Sequence, residues 1–420
     1  MQSVALVGPG GLSSESRMYE IRIKRKRESI FLKHNSRVYS GAIESCTPGF
    51  TEAGLARVIS HDGIFIAYGW YDEVSWTTLH LLSWDEETVP DDSWLRLAVL
   101  SSVARRASVS NTQAMRLVHG EADFIPGLAA DIYLDTLRII ISARYANDKL
   151  DVLLPALFEA TGARRASVSV DAAYARLEHL GQRRRFFTPG GECGPFDDES
   201  VRFSESGIWY EIGGGISQKS GFYCDQRDNR NIVESYAAGR RVLDACSFTG
   251  AFSLHCLRGG AASVLAADSS ESVLRHLLFQ VNLNEDLGVL AQGSRGRITT
   301  RRDDVFSLLR SIDEGSFDLI ILDPPKLAPK KSVQENALTG YKDLNLLAMR
   351  KIAPGGILAT FSCSGALTMA DFRMAVAYAA ADAGVDVQIL HQLGAGEDHP
   401  VRLSLPETEY LKGLVLRIVK

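Results

Sequence analysis

Two continuous apolar runs in the last quarter of the chain constrain its fold more than any other feature. The first, FDLIILDPP, covers residues 317–325, and the second, GGILATFSCS, covers residues 355–364. Runs of this kind predict parallel strands buried on both faces of a sheet. Ligands of open α/β sheets bind just beyond the carboxyl ends of the strands. We therefore expect Asp323 and Cys363 to lie at one rim, where a carboxylate and a thiol together indicate covalent catalysis.

The 420-residue chain is too long for one ordinary core, and its patterning divides it into units. The predicted units are a flexible extension at 1–16, a small β-barrel at 17–92, a central α+β unit at 93–204 and an α/β unit at 205–420. In the central unit we expect a helix over 94–115 and a loop over 186–200. Alternating strands and helices in the last unit predict a mostly parallel, doubly wound sheet.

Composition excludes several classes of protein. No apolar run reaches the roughly 18–20 residues that span a bilayer, so no membrane partner is expected. The six cysteines form no CxxC pair, which argues against a zinc site or a disulfide framework and favours reduced, cytosolic thiols. We therefore expect a cytoplasmic protein without a metal.

The net charge of −5 does not by itself indicate nucleic-acid binding, but the charge is uneven. Residues 17–38 hold eight Lys or Arg against two Glu, a local net charge of +6. We define Lys24, Arg25, Lys26 and Arg27 as the basic arm and predict that it neutralises phosphates. A solvated charged face is the alternative.

Acids end three successive predicted strands. Asp244 lies in LDACSFTGAFS, Asp268 ends VLAAD, and Asp303 or Asp304 follows the next strand. The G-x-G-x-x-G fingerprint is absent, so a ligand with an adenosine but no phosphates fits best, with Gly250 allowing close backbone approach. This pattern predicts S-adenosylmethionine, although each acid could instead cap the following helix.

The string QKSGFYCDQRDNR, residues 218–230, is dense in polar and charged residues. We interpret it as a positively charged lip, in which Lys219 and Arg227 reach a ligand carboxylate. An ordinary surface loop is the alternative.

Asp323-Pro324-Pro325 places a carboxylate on a rigid turn, since proline fixes φ and removes backbone donors. Amine methylation usually requires an aromatic residue after the prolines, whereas this chain has Lys326. Carbon 5 of cytosine needs a thiolate adding at carbon 6, a role that Cys363 can fill, with protonated Asp323 assisting at ring nitrogen 3. A buried core thiol is the alternative for Cys363.

Nearly the entire chain resembles a known family. The strings VLDACSFTGAFSLHCLRGGA, FDLIILDPPKLA, GYKDLNLLAM, LATFSCSG and DHPVRLSLPETEYLKG are similar to the bacterial large-subunit ribosomal RNA cytosine-5 methyltransferases of the RlmI type. RLVHGEADFIPGLAADIY resembles the start of that family's central domain, and SRVYSGAI resembles its PUA domain. A glycine common in the family is Leu134 here.

The resemblance implies a PUA domain, a central domain, a Rossmann-like class I methyltransferase domain and S-adenosylmethionine as methyl donor. It implies that Cys363 is the nucleophile and Asp323 the motif IV acid. The cofactor set that we assign comprises Lys219, Arg227, Asp244, Ser247, Gly250, Asp268, Asp304 and Asp323.

We assign Lys326 to RNA binding together with the basic arm. The expected partner is large-subunit ribosomal RNA, naked or in an assembly intermediate. The sequence leaves the oligomeric state open, with a homodimer as one alternative. The alternatives are methylation of an amine or a guanine on RNA, and a non-catalytic assembly factor that keeps the fold.

Overall fold

The computed structural model describes residues 18–48, 52–213, 221–327 and 334–419. The predicted extension over 1–16 lies outside these residues. Three sheets and one separate hairpin follow one another along the chain. Within the described ranges, no helix combines the length and the apolar character needed to span a bilayer.

The first sheet has the strand order β2-β6-β5-β4-β1-β3. Its elements are β1 Tyr19–Ile23, α1 Glu28–Phe31, β2 Arg37–Val38, β3 Ile43–Cys46, β4 Gly54–Ile59, β5 Phe65–Tyr71 and β6 Leu79–Ser83. β1 and β4 pair in parallel, while the other neighbours are antiparallel. Apolar side chains alternate along β1, so Ile21 and Ile23 enter a core with Val58, Leu79 and Leu81.

The second sheet has the order β12-β11-β10-β9-β8-β7. Its strands are β7 Ala114–His119, β8 Leu128–Tyr133, β9 Thr136–Ile141, β10 Arg165–Val170, β11 Arg185–Thr188 and β12 Gly191–Cys193. The helices are α2 Asp92–Ala104, α3 Arg144–Asp148, α4 Leu150–Thr161 and α5 Ala172–Ala175. β9 and β10 pair in parallel, and α4 lies between them in the chain, ending at Gly162 in the left-handed conformation.

Two local predictions for this unit are corrected. The helix expected over 94–115 ends at Ala104, and β7 already begins at Ala114. The serine-rich residues between them favour turns over helix. The loop expected over 186–200 contains the β11–β12 hairpin, in which Thr188 pairs with Gly191.

A separate hairpin of β13 Val201–Glu205 and β14 Ile208–Ile212 follows. Phe203 and Tyr210 pack in the same core as the third sheet. The backbone N–H of Glu211 in β14 donates to Oε1 of Gln280 on the following long helix at 2.9 Å. The boundary predicted at 204/205 therefore cuts this hairpin, whose packing places it with the last unit.

The third sheet has the order β17-β16-β15-β18-β19-β21-β20. Its strands are β15 Arg241–Asp244, β16 Ser263–Asp268, β17 Ile298–Arg302, β18 Phe317–Leu322, β19 Ile352–Ser362, β20 Val387–Leu393 and β21 Lys412–Ile418. The helices are α6 Arg227–Glu234, α7 Ala251–Arg258, α8 Glu271–Asp286, α9 Val305–Ser311, α10 Gln334–Lys351 and α11 Met369–Ala383. The strands from β17 to β19 are parallel, and β21 is antiparallel to β19 and β20.

Alternate residues of these strands enter two different cores, one on each face of the sheet. Leu319 and Ile321 of β18 belong to one core, whereas Ile320 and Leu322 belong to the other. This arrangement explains the continuous apolar run from which β18 was predicted, because neither face is exposed to water. The predicted doubly wound, mostly parallel sheet is confirmed.

We define residues 394–411, between β20 and β21, as the connecting segment because it contacts all three units. Arg402 donates to Glu121 O at 3.1 Å and to His34 O at 3.2 Å. Its guanidinium also stacks on Trp84 and Phe124, with distances of 5.2 and 4.4 Å to the ring centroids. One side chain of the last unit is thereby bound to both preceding units.

Candidate active site

The carboxyl ends of neighbouring parallel strands bring the predicted acids together at one rim of the third sheet. Asp244 ends β15, Asp268 ends β16, and Asp323 directly follows β18. Half-buried Cys246 lies among them. Burial and then the negative charges of Asp323, Asp244, Asp268 and Asp304 raise its pKa well above the usual value. The four acids therefore converge on one site, as the strand ends predicted.

Cys363 follows the last residue of β19 and faces the Asp-Pro-Pro turn. Its thiol lies 3.8 Å from Pro324 O, in hydrogen-bond contact through sulfur. Tyr223 lies beside both catalytic candidates, since burial and then the charges of Asp323, Asp225 and Cys363 raise its pKa. The structure thus places the carboxylate and the thiol at the same rim.

Asp323 and Asp244 are acids whose ionisation is suppressed. Burial raises the pKa of Asp323 to about 7, and the charge of Asp225 adds to that effect. Burial also raises the pKa of Asp244 to about 7, although Ser253 Oγ donates to its carboxylate at 2.7 Å. Carboxyl groups that titrate near neutral pH can exchange protons with a ligand.

Asp268 organises the turn that follows β15. Its carboxylate accepts from Phe248 N at 3.0 Å and from Ser270 N at 2.9 Å. Phe248 has a φ of +48°, which is strained for a residue with a side chain. Ser247 Oγ is buried and has no hydrogen-bond partner among the described residues. The unpaired hydroxyl of Ser247 beside the Asp268 carboxylate, which two backbone N–H groups hold in place, fits a polar ligand such as a ribose.

The interpretation of Gly250 needs correction. Its φ is +86°, and an added Cβ would lie 2.3 Å from Leu277 Cγ on α8. The glycine is therefore required by close helix packing and by the backbone conformation. No ligand has to be invoked to explain it.

Asp304 caps α9, which was the alternative considered for each acid. One carboxylate oxygen accepts from Phe306 N at 3.0 Å and from Ser307 N at 3.2 Å. The neighbouring Asp303 forms an ion pair with Arg301 at 2.6 Å. Asp304 is nevertheless exposed at the rim, so its second oxygen can face a ligand.

The predicted charged lip is only partly described. Lys219 lies outside the described residues. Arg227 is buried on α6, where its guanidinium donates to Asp398 Oδ2 at 2.8 Å and to Ala114 O at 3.3 Å. The structure argues against a ligand contact by Arg227, because these partners already engage it between the last two units.

Sequence reasoning missed two polar residues at the rim. Gln226 Nε2 donates to Asp323 Oδ2 at 3.0 Å. Lys412 pairs with Ser362 across the sheet, and its Nζ donates to Ser364 O at 2.8 Å. Burial lowers the pKa of Lys412 to about 8, while the charges of Glu409 and then Cys363 act in the opposite direction. The only sequence signal was that a lysine in an apolar strand needs a partner.

The residues assigned to RNA are exposed. All four residues of the basic arm are solvent-accessible between β1 and α1, and Lys326 is exposed after the two prolines. Lys24 donates to Gly41 O at 3.0 Å, and Arg25 forms a 3.5 Å ion pair with Asp62. Such exposed contacts are weak and leave the cations able to meet phosphates.

Family models divide the chain into two matched regions. A model described as an S-adenosylmethionine-dependent methyltransferase matches residues 115–391, and one described as a PUA-like domain matches residues 21–84. The first match spans most of the chain and includes the strands that carry the converging acids. It confirms the predicted fold class and S-adenosylmethionine as the methyl donor.

Solved structures of low sequence identity share the fold. A SAM-dependent methyltransferase from Streptococcus mutans has a TM-score of 0.76 at 18% identity, covering 95% of this chain and 100% of that chain. A methyltransferase complexed with SAH has a TM-score of 0.77 at 18% identity, with the same coverage.

Curated relatives match over nearly their whole length. The ribosomal RNA large subunit methyltransferase I of Aeromonas salmonicida is 35% identical, covering 94% of this chain and 98% of that protein. The protein of the same name from Tolumonas auensis is 36% identical, covering 95% and 99%. These matches confirm the resemblance that the motifs indicated. The chain is a member of the S-adenosylmethionine-dependent methyltransferases and belongs, within them, to the ribosomal RNA large subunit methyltransferase I family.

Proposed function

We propose that this protein methylates carbon 5 of a cytosine in large-subunit ribosomal RNA through a covalent adduct of Cys363. The observation that carries the proposal is the thiol of Cys363 beside the Asp323-Pro324-Pro325 turn, at the rim where the acids converge. The names of the curated relatives support the RNA class. Lys326, in place of an aromatic residue, favours a ring carbon over an amine as acceptor.

The Cys363 thiolate forms a bond to carbon 6 of the ring, and the displaced electron pair makes carbon 5 nucleophilic. S-adenosylmethionine, when bound, supplies an electrophilic methyl group. Carbon 5 bonds to that methyl group while the bond from the methyl group to the sulfonium sulfur breaks, which leaves S-adenosylhomocysteine. Carbon 5 then loses its proton to a base, and the bond from carbon 6 to the sulfur of Cys363 breaks. Cys363 is thereby returned as a thiolate and the ring double bond is restored. The ammonium of Lys412 on the neighbouring strand favours the anionic sulfur.

Asp323 assists addition by donating a proton or a hydrogen bond at ring nitrogen 3, and a donated proton returns to Asp323 when the bond from carbon 6 to sulfur breaks. Its pKa of about 7 means that a large fraction of the carboxyl is protonated at neutral pH. For the cofactor, Asp268 and Ser247 are the groups that we assign to ribose hydroxyls. Asp244 and Asp304 complete the polar rim, and Lys219 keeps its predicted role at the carboxylate of the methyl donor.

The basic arm and Lys326 bind RNA phosphates in this proposal. A target base must leave its helix to reach the rim, so the substrate is accessible RNA, either naked or in an assembly intermediate. Such a substrate places the protein in the cytoplasm. A homodimer remains part of the proposal.

The decisive experiment combines methyl transfer with identification of the product. Purified protein is incubated with labelled methyl donor and unmethylated ribosomal RNA, and nucleosides are analysed by mass spectrometry. We expect 5-methylcytidine with the natural protein and none with Cys363→Ala, whose affinity for the methyl donor stays within about twofold because the thiol contacts only the acceptor.

Cys193→Ala is the matched control, because Cys193 is exposed in β12, outside the third sheet. It should retain full turnover. Unimpaired turnover by Cys363→Ala would refute the covalent mechanism. A methylated guanosine or an amine product would establish the other RNA reaction, and RNA binding without methyl transfer would support an assembly factor.

A further inference from the structure

A chain of three hydrogen bonds connects a backbone carbonyl of the connecting segment to Asp323. Asn229 Nδ2 donates to Gly394 O at 2.9 Å and to Gln226 Oε1 at 2.6 Å. Gln226 Nε2 in turn donates to Asp323 Oδ2 at 3.0 Å. Gln226 and Asn229 are only 3% and 2% exposed, so solvent does not compete for these bonds.

The direction of each bond follows from the first one. A backbone carbonyl can only accept, so Asn229 must present its NH₂ group to Gly394. The same NH₂ group faces Gln226, which must therefore present its oxygen to Asn229 and its own NH₂ group to Asp323. The Oδ2 atom of Asp323 is consequently an acceptor whether the carboxyl is ionised or protonated.

We propose that Gln226 and Asn229 are positioning residues that direct the proton of Asp323 to Oδ1, the oxygen left for the target base. This inference rests on the proposed function and deepens it, because it specifies which oxygen of the acid meets the substrate. Oδ2 is occupied by an amide donor, and a proton there would face the Gln226 NH₂ group. A protonated Asp323 therefore offers its hydrogen from Oδ1 in one fixed direction, which preorganises donation to ring nitrogen 3.

Other charged and titratable groups also act at this carboxyl. Those that interact with it are Asp225, Asp244, Arg230, Tyr223, Cys246 and Tyr341. Burial, Asp225 and Asp244 favour the protonated form, whereas Gln226 and Arg230 favour the ionised form. Loss of the Gln226 donor should therefore move the titration of Asp323 upward.

The test follows Asp323 itself by difference infrared titration of the RNA-free protein. The carboxyl signal of Asp323 is the one that disappears in Asp323→Asn. Gln226→Met keeps a similar side-chain volume but lacks the donor. In this variant we expect the pH midpoint of Asp323 protonation to rise by about one to two units, since a hydrogen bond to a charged group is lost. Gln226→Glu provides a second variant, and its added carboxyl should shift the midpoint in the same direction.

Asn229→Asp tests the relay at a residue that, among the described residues, bonds Gln226 and Gly394 and makes no hydrogen bond with Asp323. Its carboxylate cannot donate to Gly394 or to Gln226, so the Gln226 amide should turn and the Asp323 midpoint should again rise. Gln280→Met is the control, because Gln280 is an equally buried amide whose partners among the described residues are Glu211 and helix neighbours. It should lower stability without moving the midpoint.

An unchanged Asp323 midpoint in folded Gln226→Met and Gln226→Glu would overturn the proposal. So would activity that falls equally at every pH, because a merely structural role predicts that result. The titration needs no RNA, while the methylated nucleoside is identified separately. A product other than 5-methylcytidine combined with a shifted midpoint would therefore refute the proposed function and leave the positioning role intact.

Discussion

Replacing Gly250 with alanine tests the finding that packing, and not a ligand, requires the glycine. The new Cβ would lie 2.3 Å from Cγ and 2.7 Å from Cδ1 of Leu277, whose side chain is fully buried and cannot swing into solvent. Overpacking of this kind costs about 1–3 kcal/mol. The φ of +86° adds about 1–2 kcal/mol for a residue with a Cβ. We therefore expect Gly250→Ala to lower the free energy of unfolding by about 2–5 kcal/mol.

Two other glycines separate the two contributions. Gly162 and Gly288 have φ values of +65° and +69°, and nothing lies within 4 Å of an added Cβ at either position. Gly162→Ala and Gly288→Ala should each cost about 1–2 kcal/mol, from the backbone alone. Urea unfolding followed by circular dichroism measures all three variants.

The decisive comparison is between stability and affinity for the methyl donor, which calorimetry measures. Packing predicts that Gly250→Ala is clearly less stable than the two control variants. If it is as stable as they are, and only its affinity for the methyl donor falls, Gly250 serves ligand approach and the steric reasoning is refuted.

Three further predictions follow from single features of the structure. Leu134 has a φ of +54° at the β8–β9 turn, so Leu134→Gly should raise the free energy of unfolding by about 0.5–1 kcal/mol in urea titrations; a decrease would contradict the strain. Burial lowers the pKa of His80 and of His255 to about 4, so the unfolded chain takes up protons below its own pKa of about 6.5 that the folded chain refuses. The free energy of unfolding should therefore fall as pH drops from about 6.5 towards 4, by up to about 1.4 kcal/mol per pH unit for each of the two histidines. Replacing both histidines by glutamine should flatten that pH dependence. Charge reversal of the basic arm should weaken RNA binding and reduce the slope of the logarithm of the binding constant against the logarithm of salt concentration by about one per lost phosphate contact. Filter binding at salt concentrations between about 50 and 200 mM measures that slope. An unchanged slope would show that RNA binds elsewhere.

Features set by local patterning could be predicted from the sequence. The apolar runs identified β18 and β19 because both faces of the sheet are covered, and chain direction then placed Asp323 and Cys363 at one rim. Features set by distant partners could not be predicted. Arg227 was read as a ligand contact because nothing near it in the chain shows that Asp398, 171 residues away, would bind it.

The same limit applies to Gln226 and Gly250. Gln226 stands beside a more conspicuous aspartate, and only the fold brings it to Asp323, 97 residues further along the chain. Gly250 was correctly marked as a position without room for a side chain, but the neighbour that fills the space lies on α8. The sequence pattern shows that a position is constrained, whereas only the packed structure shows which neighbouring residue imposes the constraint.

Arg402 fixes the position of one unit relative to another. Its bonds to His34 and Glu121 tie the unit that carries the basic arm to the unit that carries the rim, through the connecting segment. The distance between the basic arm and the rim is then set by the fold. Under the proposed function, an RNA substrate must itself span that distance between its bound phosphate and its target base.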